Sequence, residues 1–337
     1  MARAKRLLGL DIGTAAVKAV ELSREGEALK VTGVSMAPLA NPAETASVVK
    51  EVIRQGSFHT KLAASNVSGR LVSIKYITLP AMTDEEMKKA LPFEADKHIP
   101  FDVKDTLLDG QRIGQAAAEA KEMTAVLVAA KRNLVLERAD LLNAVGLCPQ
   151  IVDADVFALG NAYELSLQAG AERKGSVAIV DIGASKTSVN ILRNGATCFT
   201  REIYIAGNDL RDAIAKRLSL SPEEAEKIKC SPGSQEDACK EAASMPLEDL
   251  TNELRMSLEF YENQFESSVD EVCLAGGGSR LPWLPETLGT AFGKPARPWN
   301  PFEKLVGEGQ GLDASSLAAR GGTFAVALGL AARLGTL

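Results

Sequence analysis

Leu7-Leu8-Gly9-Leu10-Asp11-Ile12-Gly13-Thr14-Ala15-Ala16-Val17-Lys18-Ala19-Val20 and Val177-Ala178-Ile179-Val180-Asp181-Ile182-Gly183-Ala184-Ser185-Lys186-Thr187-Ser188-Val189-Asn190-Ile191 repeat one pattern. In each, an apolar run ends in Asp-Ile-Gly, small residues follow, and a second run begins. Apolar runs of four to six residues with β-branched members suit strands covered on both faces. Each copy therefore reads as strand, tight turn, strand. Further strand signals and then a helix follow each copy, so the sequence describes two related α/β lobes rather than one large domain.

An Asp-Ile-Gly turn between strands has a definite chemistry. Glycine lets backbone N–H groups approach phosphate oxygens with no Cβ in the way, and successive amides form an anion cradle. Thr14 and Ser185 add hydroxyls, and Lys18 balances phosphate charge. Asp11 and Asp181 would repel phosphates by themselves. They make sense with a magnesium ion between, its hydration shell held by both carboxylates. A third turn, Gly276-Gly277-Gly278-Ser279-Arg280, follows a strand expected over 269–274. Its glycines permit packing against a flat base, on which the Arg280 guanidinium can stack. A lone glycine hairpin needs no function; two copies and a third glycine turn are harder to explain structurally.

Between the copies, residues 71–77 read as a strand. Thr83 with Glu86 forms a capping box that opens a helix, which Pro92 is expected to interrupt or end. Residues 125–130 read as a strand and 133–145 as an amphipathic helix stopped by Gly146. The stretch 151–167 reads as a helix beginning near Asp153 or Asp155. In the second half, Ser221-Pro222 starts a short charged helix, and 227–241 reads as a polar surface excursion. Residues 247–265 carry Leu250, Leu254, Leu258, Tyr261 and Phe265 at helical spacing, a core-facing stripe. A proline-bearing stretch and a final apolar helix within 323–334 close the sequence.

Composition narrows the classes. The 337 residues, 46% hydrophobic and 24% charged, are those of a globular chain. A net charge of −6, with both signs interspersed, leaves neither a nucleic-acid footprint nor a polybasic membrane patch. No apolar run reaches the roughly 20 residues of a membrane span, and no signal-peptide core appears. The 5 cysteines are scattered without metal spacing, which fits a reducing cytoplasm. His59 and His98, the only histidines, lack partners at ligand spacing.

The order of phosphate turn, intervening block, second phosphate turn, Glu-Ala-Glu-Lys-Ile-Lys helix (224–229) and third glycine turn resembles the actin, sugar-kinase and seventy-kilodalton chaperone superfamily. Within it the chain is similar to the PilM family of type IV pilus assembly over nearly its whole length. The specific part is Leu79-Pro80-Ala81-Met82-Thr83-Asp84-Glu85-Glu86-Met87, continuing through Phe93-Glu94-Ala95-Asp96-Lys97-His98-Ile99-Pro100-Phe101. Gly183-Ala184-Ser185 and Leu258-Glu259-Phe260-Tyr261 are also similar to the family. The resemblance implies a two-lobed actin-like (ribonuclease-H-like) α/β fold with a small α+β subdomain inserted in the first lobe. Its first lobe would comprise residues 1–68 with 148–174 and 315–337, its inserted subdomain 69–147, and its second lobe 175–314, with 208–268 as a helical subdomain.

The resemblance also implies roles. Gly13, Thr14, Ala15, Lys18, Gly183, Ala184 and Ser185 would hold the phosphates of ATP, with Gly207 nearby. Glu226 and Lys229 would face the ribose, Gly276, Gly277, Gly278 and Arg280 would frame the adenine, and Asp11 and Asp181 would hold magnesium through water. Asp155 stands where ATP-splitting relatives orient the attacking water; Asp153 is an alternative, and a helix N-cap role for either is equally open. Lys186, a bulky cation in the second turn, and Ala15 and Ala16, in place of serines, argue for binding with slow or absent hydrolysis. The implied partner is the cytoplasmic N-terminal tail of a PilN-type membrane protein, held in a groove between first lobe and inserted subdomain. The protein would be cytoplasmic and recruited to the inner membrane by that partner, without inserting. Contacts with pilus motor ATPases, other assembly proteins or further copies of the chain are left open. The alternatives are an FtsA-like division or polymer-forming actin homologue, and a small-molecule kinase. The first usually ends in an amphipathic membrane-targeting helix, which the sequence ending at Leu337 does not show, and no feature requires the catalytic base of the second.

Overall fold

The structure, a computed structural model, describes residues 5–26, 28–113, 121–167, 175–305, 317 and 319–337. The first copy of the repeated pattern forms β1 (Arg6–Ile12) and β2 (Ala16–Glu25), which pair antiparallel; β3 (Ala28–Pro38) pairs on the far edge of β2. After helix α1 (Thr45–Gly56), β4 (Leu62–Val67) runs parallel to β1, and β8 (Cys148–Ala154) runs parallel to β4. The resulting order is β3-β2-β1-β4-β8.

The second copy builds the same sheet again. Its strands β9 (Ser176–Ile182), β10 (Thr187–Arg193), β11 (Ala196–Ile203), β12 (Glu271–Ala275) and β13 (Ala296–Pro298) take the order β11-β10-β9-β12-β13. Between β11 and β12 lie helices α5 (Gly207–Leu218), α6 (Pro222–Cys230), α7 (Glu236–Ala242) and α8 (Ser244–Phe265). Helix α9 (Leu284–Phe292) links β12 to β13. The inward stripe of α8 (Leu250, Leu254, Leu258 and Tyr261) is buried in one core with β9 and β10, as its spacing requires.

Between β4 and β8 the chain makes a third sheet, β5-β7-β6, from β5 (Val72–Pro80), β6 (Thr106–Ile113) and β7 (Glu122–Lys131). Helices α2 (Asp84–His98) and α3 (Arg132–Ala144) accompany it. The capping box opens α2 as expected: Thr83 Oγ1 accepts from Glu86 N at 3.2 Å, and Glu86 Oε2 accepts from Thr83 N at 2.8 Å.

Two expectations are corrected, and a third is narrowed. Pro92 neither ends nor interrupts α2. Pro92 and Lys88 both lie on the exposed face, so the carbonyl that proline leaves without a helical N–H points to water. Of the two starts expected for the helix in 151–167, Asp155 is the one observed; residues 148–154 are strand β8, whose register places its backbone against β4. The polar stretch 227–241 is not an excursion but contains α7, anchored by buried Cys239 in the second-lobe core.

One core cluster joins the lobes. Leu7, Val20 and Leu22 of the first sheet and Val177, Ile179 and Cys273 of the second pack with helices α4 (Asp155–Ser166) and α10 (Ala325–Ala332). Residues Ala325 to Ala331 are all buried, as an all-apolar helix must be. α10 lies against α4 so closely that a Cβ on Gly329 would stand 1.7 Å from the Ala158 carbonyl oxygen. Among the described residues no helix is long and apolar enough to cross a membrane.

Candidate functional site

Both Asp-Ile-Gly turns close with the same hydrogen bond. Gly13 N donates to Ala16 O at 3.1 Å, and Gly183 N donates to Lys186 O at 2.9 Å. The two turns face each other, with Thr14 Oγ1 and Ser185 Oγ 3.0 Å apart. Helix α5 begins on the second turn, where Gly207 N donates to Gly183 O at 3.0 Å and Asn208 N to Ala184 O at 2.8 Å. The third turn lies beside them. Gly276 has φ +78°, and a Cβ there would meet Ile182 O at 2.4 Å and Asp181 Oδ1 at 2.7 Å, so the position admits only glycine.

The strand register fixes the charges. Asp11 and Lys18 are direct cross-strand partners on β1 and β2, and Lys18 Nζ donates to Asp11 Oδ2 at 2.8 Å. Asn66, buried at the end of β4, donates from Nδ2 to Asp11 Oδ1 at 3.0 Å and to Asp155 Oδ1 at 2.7 Å. Its own Oδ1 accepts from Ile12 N at 3.1 Å, so the amide is fixed in orientation. Burial pulls the Lys18 ammonium down, but the contact with Asp11 outweighs it and holds it above its ordinary value.

The second copy distributes its charge differently. On β9 and β10 the partner facing Asp181 is Ser188, whose buried Oγ has no hydrogen-bond partner among the described residues. Burial pushes the Asp181 carboxyl up to about 6, only partly opposed by the more distant Lys18. The cation of this copy sits in the turn instead. Lys186 Nζ lies 2.8 Å from Asp155 Oδ2 and 2.6 Å from Glu202 Oε1. Burial lowers the Lys186 ammonium, and the two carboxylates more than reverse that, holding it well above the usual lysine range. Glu202 Oε1 also accepts from Gly69 N at 3.1 Å, at the root of the third sheet, where Arg70 lies 4.9 Å over the Tyr204 ring.

Among the candidate residues, Asp11, Lys18, Asp155 and Asp181 converge on the space beside the facing turns. Neither Asp153 nor Asp155 caps α4. The N-cap position is Ala154, with no side-chain cap, and Asp155 is the first helical residue. Asp153 turns away, accepting from Ala154 N at 2.8 Å and pairing with Arg333 at 3.3 Å. Lys229 is buried, donating to Gly207 O at 3.0 Å and to Glu226 Oε2 at 2.6 Å, which leaves the half-exposed Glu226 carboxylate toward solvent. Arg280 is exposed and lines a 320 Å³ cavity with Cys230, Trp299, Asn300 and Gly322. Thr14, Ala15 and Gly277 are exposed, while Gly276 and Gly278 are buried under the turn.

Asn66 and Glu202 escaped the sequence reading. The signal for Asn66 was present: Ser65-Asn66 is a polar pair inside a strand that is otherwise apolar. Glu202 gave none, since it is one glutamate in an alternating strand.

The donor set suits a divalent cation held through water. Asp11 has both oxygens engaged by Lys18 and Asn66, and Asp181 stands without a cross-strand cation. A raised carboxyl facing a second carboxylate is a local deficit of positive charge that such an ion would fill. Among the described residues no group of three or more His, Cys, Asp and Glu is gathered for direct ligation.

A second concavity of 810 Å³ lies between the third sheet, β8 and α4. Val126 and Val128 of β7, Leu108 of β6, Val152 of β8 and Phe157 of α4 line it. Its floor includes the outer strand β6, and the Asn161 Nδ2 atom in its wall is buried without a partner among the described residues.

The profile of the family described as type IV pilus assembly protein PilM matches residues 9–334. The solved "PilM-PilN type IV pilus biogenesis complex" superposes with a TM-score of 0.88 and 30% identity, covering 99% of this chain and 99% of that one. Ethanolamine utilization protein EutJ from Carboxydothermus hydrogenoformans matches at TM-score 0.58 and 16% identity, over 98% of this chain and 90% of that one. MreB5 of Spiroplasma citri bound to ADP matches at TM-score 0.51 and 12% identity, over 97% and 95%. The last two are similar in fold alone, and that fold is the two-lobed actin-like one.

Proposed function

The chain belongs to the PilM family of type IV pilus assembly proteins, and from that premise we propose that it binds magnesium ATP between its lobes and docks the cytoplasmic N-terminal tail of a PilN-type membrane protein. The observation that carries the nucleotide half is the pair of facing turns, brought within 3.0 Å of each other from opposite lobes. In this reading Gly13, Thr14, Ala15, Gly183, Ala184 and Ser185 offer amides and hydroxyls to the phosphates. The amino end of the 12-residue helix α5, starting at Gly207, adds its dipole. Lys18 supplies fixed positive charge. Glu226, oriented by Lys229, accepts from ribose hydroxyls, and Gly276, Gly277, Gly278 and Arg280 frame the base.

Magnesium, when bound, neutralises phosphate charge; Asp11 and Asp181 would hold its water shell. Asp155 is poorly placed to orient an attacking water, because Asn66 and the Lys186 ammonium already stand against its two oxygens. That supports retention of ATP over rapid splitting.

The groove of 810 Å³ supports the docking half. It is lined by valine, leucine and phenylalanine together with charged Asp109, Arg112 and Arg333, and floored partly by an outer strand, which suits an extended segment with apolar and polar side chains whose backbone pairs with β6. Capture of such a tail would recruit the protein to the inner membrane.

The test is equilibrium binding of fluorescent ATP to the full chain and to Asp11→Ala, with circular dichroism as control. Loss of binding in a folded variant supports the site; equal affinity in both defeats it. A synthetic PilN-type tail offered with and without ATP tests the partner, and failure to bind in either condition removes the docking half.

A further inference from the structure

Lys186 is the final residue of the second turn and belongs to the second lobe, while Asp155 directly follows β8 and is hydrogen-bonded to Asn66 of β4, both strands of the first sheet. The ion pair between them, 2.8 Å long, therefore crosses the cleft. Asp155 Oδ1 accepts from Asn66 at 2.7 Å and Oδ2 from Lys186, and the residue is only 7% exposed. Asn66 cannot release it cheaply, because the same amide also holds Asp11 and the Ile12 N–H. Lys186 is fixed on its other side by Glu202 at 2.6 Å, which is in turn bound to Gly69 N. Asp155 is the carboxylate of the cleft left over once Asp11 and Asp181 are assigned to the cation. With a donor already on each oxygen, one of them a full ammonium, a water reaching this carboxylate must share an oxygen that faces a positive charge.

We propose that Lys186 silences Asp155, and that this one contact makes the chain a protein that keeps its ATP instead of splitting it. The proposal rests on the nucleotide reading given above. With Lys186 gone, Asp155 Oδ2 is open to a water beside the terminal phosphate. The water oxygen forms a bond to the γ-phosphorus as the bond from that phosphorus to the bridging oxygen breaks. The electron pair of the broken bond stays on ADP, and the water proton passes to Asp155 and on to solvent. Lys186 is thus a positioning residue acting through Asp155. A general base of this kind is worth about 10²- to 10⁴-fold in rate.

The experiment measures ATP affinity and phosphate release in parallel, on the full chain with magnesium ATP. Lys186→Ser is expected to bind ATP within a few-fold of the parent and to release phosphate about a hundredfold faster. Asp155→Asn in the Lys186→Ser background should return the gained rate to the parental level while leaving ATP affinity within a few-fold. Removing Lys186 alone leaves Asp155 and Glu202 without their cation, so the test is repeated in Lys186→Met/Glu202→Gln, which removes one charge of each sign. The proposal is overturned if the variants bind ATP yet release phosphate no faster, or if the gain survives Asp155→Asn. A parent that binds no ATP at all defeats the nucleotide reading, and the proposal with it.

Discussion

Thr14 Oγ1 and Ser185 Oγ lie 3.0 Å apart, although one belongs to each lobe and 171 positions separate them in the chain. A triphosphate entering between the turns has to part that pair. Cysteines placed at both positions should therefore cross-link on mild oxidation, and magnesium ATP should protect them. Gel shift of the oxidised double variant reads this directly. Cross-linking at equal rates with and without nucleotide would put the phosphates elsewhere.

Asp181 gives a pH dependence whose sign follows from its surroundings. Its carboxyl is raised from 3.8 to about 6, so the stability linked to it is complete at low pH and is lost as pH climbs through about 6. Asp181→Asn should flatten the loss and be the more stable protein at pH 8, by about 3 kcal/mol in the absence of magnesium and ATP. With magnesium ATP the order should reverse, because the parent alone gains. Urea denaturation at pH 5 and pH 8 decides; identical pH profiles for the two proteins would contradict the burial of that carboxyl.

Gly329 marks where the helices that span both lobes touch. With its Cβ position 1.7 Å from Ala158 O, Gly329→Ala must push α10 and α4 apart. The expected cost is about 3 kcal/mol, at the upper end for overpacking, because backbone rather than side chain is in the way. A variant with an unchanged urea midpoint would show that the helices do not meet there.

Val128 projects from β7 into the 810 Å³ groove, on the face opposite buried Leu127 and Ala129. Val128→Asp should abolish capture of a PilN-type tail and leave ATP affinity unchanged, since the groove and the facing turns have no residue of this strand in common. Calorimetry with each ligand separates the two effects. Retained tail binding would move the docking surface away from β7.

The parts of the fold legible in the sequence were those specified locally. The duplicated strand-turn-strand, the Thr83–Glu86 cap and the α8 stripe each follow from spacing within a few residues. What escaped was decided by distant partners. Residues 148–154 carry little strand signal of their own and become β8 because β4 offers an open edge. α7 reads as polar because one buried cysteine is its main anchor. In the site, the aspartates and glycines announced themselves by repetition. Asn66 and Glu202 did not, because each acts by joining segments remote in sequence: β1 to α4 in one case, β4–β5 to the second turn in the other.

The two halves repeat each other so closely that the few places where they part company set a direction. On one wall the ammonium rises from the strand at Lys18; on the other it sits in the bend at Lys186, and Ser188 stands where its counterpart would be. Two identical walls would receive a head-to-tail guest equally well either way round. These walls do not, and a guest with unlike ends meets a polarised opening with one preferred orientation.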